Sequence, residues 1–231
     1  MAFGLAGFVQ SITGFGSALV AIPILAIVMG PAHAVVAMTV VSLVLSGWSA
    51  VRERAHVDLP VASRLVVAGM LGLPLGLLLL RYAGDGVLQV LMAVTVLGAL
   101  ALVLSRVRLP PGRVAGAGAG VLSGALLTST GMNGPPLVLG VLAGRPEPRA
   151  FRGTLQAVLA VQDLVAVVGF VVIGLDVGSL LAYIAVGVLA SRGGWWAGDR
   201  VFARIPAKRF DRVVALALAA SAVMLLLSGI A

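Results

Sequence analysis

The sequence predicts an all-α polytopic membrane protein with two inverted repeats, each a re-entrant or broken helix hairpin plus three transmembrane helices. Three observations predict it. First, the 231 residues are 61% hydrophobic and only 10% charged, whereas a soluble domain carries roughly 45–50% apolar and about 25% charged residues. With a mean hydropathy of +1.15, too few charges remain to clothe a water-facing surface. That excludes a soluble enzyme, a disordered chain and a coiled coil, and the long apolar runs lack the alternation of a membrane β-barrel. Second, two of the apolar stretches are broken in the middle by glycine and proline. Third, sixteen Lys+Arg stand against eight Asp+Glu, a net charge of +8, and their positions select one topology.

A crossing needs about 20 apolar residues, roughly 30 Å at 1.5 Å per residue. In the first repeat, residues 1–110, the spans 33–51, 61–80 and 87–105 meet that length. In the second, residues 111–231, the spans are 150–174, 179–198 and 210–230. Ahead of each set lies a broken stretch. Residues 2–30 are interrupted by Thr13-Gly14-Phe15-Gly16-Ser17, and residues 114–144 by Thr130-Gly131-Met132-Asn133-Gly134-Pro135-Pro136. Glycine frees the backbone and proline removes a donor, so each stretch reads as two half-helices. The N-terminal segment has no basic residues and does not read as a cleavable signal peptide.

The two breaks align: GFGSALVAIPIL at 14–25 lies over GMNGPPLVLGVL at 131–142, an offset of 117. Further on, Asp58 matches Asp176, Gly69 matches Gly187 and Gly76 matches Gly194, at 118. Paired, interrupted hydrophobic segments in two halves of a chain point to the binding site of a transporter.

The cations choose between topologies. If both broken stretches cross fully, nine cations face one side and six the other, which orients nothing. If both are re-entrant, each half has three crossings and the halves are inverted. The loops at 52–60, 106–113, 145–152 and 199–212 then share a face, which collects fourteen cations, all except Arg81 and Arg192. The positive-inside rule makes that face cytoplasmic, with both termini outside, and Trp195-Trp196 at the cytoplasmic interface.

Gly-Phe-Gly-x-x-Leu-Val-x-x-Pro-x-Leu from Gly14, and Gly-x-x-Gly-Pro-Pro-Leu-Val-Leu from Gly131, in duplicated halves of this size, resemble the TauE/SafE (TSUP) family of sulfite exporter-like membrane proteins. The resemblance covers nearly the whole chain and implies transport of sulfite or a related sulfur-containing organic anion across the bacterial inner membrane. Asn133 stands where many relatives carry glycine.

The physical case for an anion site is independent of that. The start of a returning half-helix exposes unpaired N–H groups and the positive end of the helix dipole. Two inverted hairpins bring two such ends together near the midplane. Ser17 and Asn133 have N-cap chemistry, and Pro135 suits a first helical turn. Thr13, Gly14, Gly16, Ser17, Thr130, Gly131, Asn133, Gly134 and Gln156 are therefore the candidate substrate-binding residues, with Gln10, Thr128 and Ser129 nearby. Plain helix turning and capping would use several of the same residues. Asp163, near the centre of a span, is the candidate proton-coupling group, since an intramembrane carboxylate is expensive to keep; a structural aspartate joining two helices is the alternative. Arg192 either snorkels to the cytoplasmic side or faces the anion route, and His33 caps a helix or lies at the outer interface, with a proton relay as the alternative.

No cysteine is present, His33 and His56 lie far apart, and no metal-ligand spacing occurs. No cofactor and no enzymatic activity are expected. The absence of a Walker motif argues against ATP coupling. The leading function is a secondary transporter or exporter of a small anion, with an anion channel or a non-transport membrane assembly protein as alternatives. The expected partners are the anion and the lipid bilayer, with a homodimer left open and no nucleic acid.

Overall fold

The structure, a computed structural model, describes residues 2–105, 113–144 and 146–202, and within them the chain is helical. The helices are α1 (Ala2–Thr13), α2 (Ser17–Met29), α3 (Pro31–Arg52), α4 (Leu59–Tyr82), α5 (Asp85–Ser105), α6 (Arg113–Thr130), α7 (Gly134–Leu142), α8 (Pro148–Val172) and α9 (Leu181–Phe202). Both breaks fall where glycine and proline placed them. The span expected at 210–230 lies outside the described residues.

Among the described residues, four stretches are long and apolar enough to cross a membrane: Pro31–Arg52, Leu59–Tyr82, Pro148–Val172 and Gly178–Val201. Large apolar side chains such as Leu71, Leu75, Val168, Val172 and Leu189 lie exposed on the long helices, a surface that needs lipid rather than water around it. α1 and α2, at 12 and 13 residues, reach only about 18–20 Å each.

Helix directions follow from which residues meet. α3 and α8 pack antiparallel at the centre, with Glu53 beside Gly153 and Ser42 bonded to Asp163. α1 runs alongside α9 in the same direction: Ser191 donates to the Phe3 carbonyl at 2.9 Å, while Gly194 lies against Gly4 and Phe8, and Gly198 against Phe8 and Ser11. α2 then returns to the end at which α3 begins. On the other side α6 runs alongside α4, with Gly72 against Val121 and Gly76 against Ala125 and Thr128. α7 folds back along it, so that Gly120 and Gly140 both reach Leu65. These seams use glycine because helix backbones approach until a Cβ has no room.

The same contacts correct the register read from sequence. Gly72 and Gly194 occupy matching places, against residue pairs related by the offset of 117 (Val121 and Ala125; Gly4 and Phe8). Gly76 likewise matches Gly198, with Thr128 and Ser11 opposite. The offset here is therefore 122 (194 − 72), not the 118 that paired Gly69 with Gly187 and Gly76 with Gly194. The cause is local. Asp58 caps α4 by accepting from the Val61 amide at 3.1 Å, and Asp176 accepts from the Ser179 amide at 3.1 Å, still 118 apart. After Asp176 the chain inserts a 3-10 turn, Gly178–Leu180, before α9 starts at Leu181, which delays the helix by about one turn.

Charge divides between the two ends of the bundle. Arg52, Arg54, Arg149, Arg152 and Arg200 occupy the end where α3 stops, α8 starts and α9 stops. At the opposite end Arg81 donates to the Ile173 carbonyl, and Gly30 lies against the Asp85 carboxylate. Trp195 is buried within the protein: it is 2% exposed and packs edge-on against Trp48, ring centroids 5.9 Å apart. Only its neighbour Trp196 is exposed, beneath the Arg200 guanidinium, because successive residues on a helix point about 100° apart.

Candidate functional site

The two breaks are built alike. Thr13 bonds back to the Val9 carbonyl at 2.9 Å, and Thr130 to the Leu126 carbonyl at 2.8 Å. Each threonine oxygen also accepts an amide two residues on, from Phe15 at 3.3 Å and from Met132 at 3.4 Å. Gly14 and Gly131 follow with φ +82° and +71°, the left-handed conformation that glycine adopts without strain. Thr13 and Thr130 thus shape the turn, and their hydroxyls are committed to backbone.

The capping expectation needs correction. Ser17 is the first helical residue of α2; the N-cap is Gly16, at φ +90°, and no side chain caps the helix. Asn133 does occupy the N-cap position of α7, yet it makes no capping bond. Its amide nitrogen donates instead to Gln162 Oε1 at 3.3 Å, an oxygen that also accepts from Ser123 at 2.8 Å. A bond to a neighbouring helix has won over the local one.

The starts of α2 and α7 meet. Gly134 lies against the Phe15 ring, and a small cleft is lined by Gly16, Ser17, Asn133, Gly134, Ser42 and Gln10, among others. Several lining residues are counterparts at the offset of 117: Phe15 and Met132, Gly16 and Asn133, Ser17 and Gly134, Ser42 and Leu159. Ser42 and Leu159 each stand 11 residues beyond the proline that opens their helix (42 − 31 and 159 − 148), so the cleft lies about halfway along both. Gln10 is fully buried there, and neither atom of its side-chain amide has a partner.

Gln156 lies just beyond the cleft lining. Its Nε2 donates to the Gly14 carbonyl at 2.9 Å, while its Oε1 is buried without a partner. Asp163 is fully buried, and one carboxylate oxygen accepts from Ser42 at 2.8 Å and Ser46 at 3.3 Å. The other oxygen has no partner. Through Ser42, Asp163 is one side chain away from the cleft. Thr128 and Ser129 bond to backbone carbonyls. Arg192 is not among the residues that line the cleft, and its guanidinium lies 5.8 Å from the Trp48 ring centroid. His33 donates to the Met29 carbonyl at 3.0 Å, closing the last turn of α2. Among the described residues no cluster of His, Cys, Asp or Glu could hold a metal ion.

Two groups escaped the sequence reading. Ser42 and Ser46 belong to a buried polar stripe, Thr39, Ser42, Ser46 and Ser49, on the otherwise apolar α3; that helical spacing was the available signal. Arg152, counted only as a topology cation, is 6% exposed. It donates to Asp199 at 2.8 Å, to Glu53, and to the Ser11 carbonyl at 3.1 Å. It thereby ties the end of α1 to α3, α8 and α9.

Paired broken helices whose starts meet halfway along the long apolar helices define a polytopic membrane protein of transporter type. The family model for the sulfite exporter TauE/SafE matches residues 1–225, and the chain belongs to that family: it is a membrane transporter and not an enzyme. Neither a curated protein nor a solved structure gives a significant match.

Proposed function

We propose that this chain is a secondary transporter of sulfite or a related sulfur-containing anion, bound in the cleft between the starts of α2 and α7. The observation that carries the reading is the convergence of two half-helix N-termini on one buried cleft beside an unsatisfied Gln10 amide. Helix N-termini supply N–H donors and about half a positive charge each, so an anion is held there without a lysine or arginine in the lining. Gly14, Gly16, Ser17, Gly131, Asn133 and Gly134 form the contact surface or its turns. Thr13 and Thr130 set the turn geometry, and Gln156 holds the Gly14 carbonyl.

The cleft volume is about 10 Å³, room for about one water. An oxyanion therefore enters only when the starts of α2 and α7 separate, which is the movement alternating access requires. The pairing of α1 with α9 and of α6 with α4 supports two inverted repeats, with α1–α2 and α6–α7 as hairpins entering from opposite faces. The arginine-rich end is then cytoplasmic and both termini are outside. Asp163 is the proton-coupling group: buried mid-membrane, bonded to cleft-lining Ser42, and carrying one unpartnered oxygen.

A panel of anions in proteoliposomes, with and without a pH gradient, tests the proposal. Concentrative sulfite flux driven by the gradient is expected. A flux that only dissipates gradients would make the protein an anion channel, and no flux of any anion would refute the site.

A further inference from the structure

We infer that the cleft recognises a hydrogen-bond donor on its anion: the ligand is a singly charged, protonated oxyanion, and Gln10 is the residue that reads its O–H. The inference rests on the anion-transport reading above and narrows its substrate class.

The two helix starts are unequal as anion sites. The first turn of α2 offers the amides of Ser17, Ala18 and Leu19, which helix geometry leaves without carbonyl partners. The counterparts on α7 are Gly134, Pro135 and Pro136, and proline has no N–H. Two of the donors that would complete a symmetric, doubly charged site are therefore missing. The cleft supplies most of its backbone donors from the α2 side, a balance suited to one negative charge.

The other groups in the lining add acceptors. Gln10 is fully buried against the cleft with both its carbonyl oxygen and its amide nitrogen unpartnered. Its counterpart at the offset of 117 is Leu127, so the feature exists on one side only. Ser42 spends its proton on Asp163, leaving its hydroxyl oxygen to face the cleft as an acceptor. The cleft lining includes no lysine or arginine. A dianion would meet these oxygens with no proton to offer them. A ligand bearing one hydroxyl and one or more anionic oxygens matches both sides: its O–H reaches the Gln10 oxygen, and its charged oxygens reach the Gln10 amide nitrogen and the α2 amides.

The test is competition against labelled sulfite flux in proteoliposomes at one mildly acidic pH, where sulfite is mostly singly protonated. Competitors are unlabelled sulfite, selenite (also singly protonated), methanesulfonate (a monoanion with no O–H) and sulfate (a dianion). Sulfite and selenite are expected to compete about tenfold or more better than the two donor-free anions, the scale of leaving a buried acceptor unpaired. Gln10→Met, of similar length and without the amide, is expected to bring the sulfite and methanesulfonate values together. Equal competition by methanesulfonate or sulfate in the unaltered protein overturns the inference, and that arm stands even if Gln10→Met does not fold. Flux without donor preference removes this inference alone; absence of any anion flux removes the transport reading as well.

Discussion

Arg152→Met tests how the α1 end is held. The substitution keeps most of the aliphatic stem and removes the guanidinium that bonds Glu53, Asp199 and the Ser11 carbonyl. The Glu53 and Asp199 side chains are 14% and 29% exposed, so two carboxylates would face each other with little water between them. Breaking a fully buried pair costs about 3–5 kcal/mol. Here both partners keep some solvent, and Arg52 remains 3.7 Å from Asp199, which lowers the expected cost to about 2–3 kcal/mol. For a chain of this size that corresponds to a fall of about 5–10 °C in the melting temperature. Thermal unfolding in detergent, followed by tryptophan fluorescence, reads it through Trp48 and Trp195. Adding Glu53→Gln and Asp199→Asn to Arg152→Met is expected to recover much of the loss by removing the stranded charges. An Arg152→Met protein that melts with the unaltered one would refute the assignment of this cluster as a clamp.

Other outcomes follow from the same geometry. Asp163→Asn is expected to abolish the response of anion flux to a pH gradient while downhill flux persists; a retained gradient response would remove Asp163 from coupling. Gly194→Leu drives a side chain into the Gly4 backbone and is expected to lower the yield of folded protein sharply, whereas Gly193→Ala, with open space around it, should be neutral or stabilise by up to about 1 kcal/mol. A single cysteine replacing Pro146 should be labelled by a membrane-impermeant maleimide only from the cytoplasmic side, and one replacing Gly84 only from outside. Labelling of both from one face would contradict the re-entrant arrangement.

Local chemistry made much of the fold legible. Gly14-Phe15-Gly16 and Gly131-Met132-Asn133-Gly134 interrupt helices because closely spaced glycines free the backbone for a conformation an α-helix cannot hold, and Gly14, Gly16 and Gly131 take up positive φ. The starts of α2 and α7 followed from the same residues. Register between distant helices was not legible. The 3-10 turn at Gly178–Leu180 carries no strong composition signal, yet it shifts α9 by about one turn against its counterpart α4. Capping propensity also misled at Asn133, since Gln162, on α8, offered its side chain a partner across the bundle. Arg152 shows a further limit. Its carboxylate partners are 99 and 47 residues away, and only the fold reveals that a cation read as a topology signal is a buried tie between four helices.

Sulfite flux through proteoliposomes carrying the unaltered protein or the double variant Ser17→Leu, Asn133→Leu tests the central claim most directly. Both leucines would fill the cleft where α2 and α7 begin. Protein-dependent sulfite flux is expected, lost in the variant while its melting temperature is retained. Sulfite flux at the unaltered rate in a folded variant would contradict an anion site between these two helix starts.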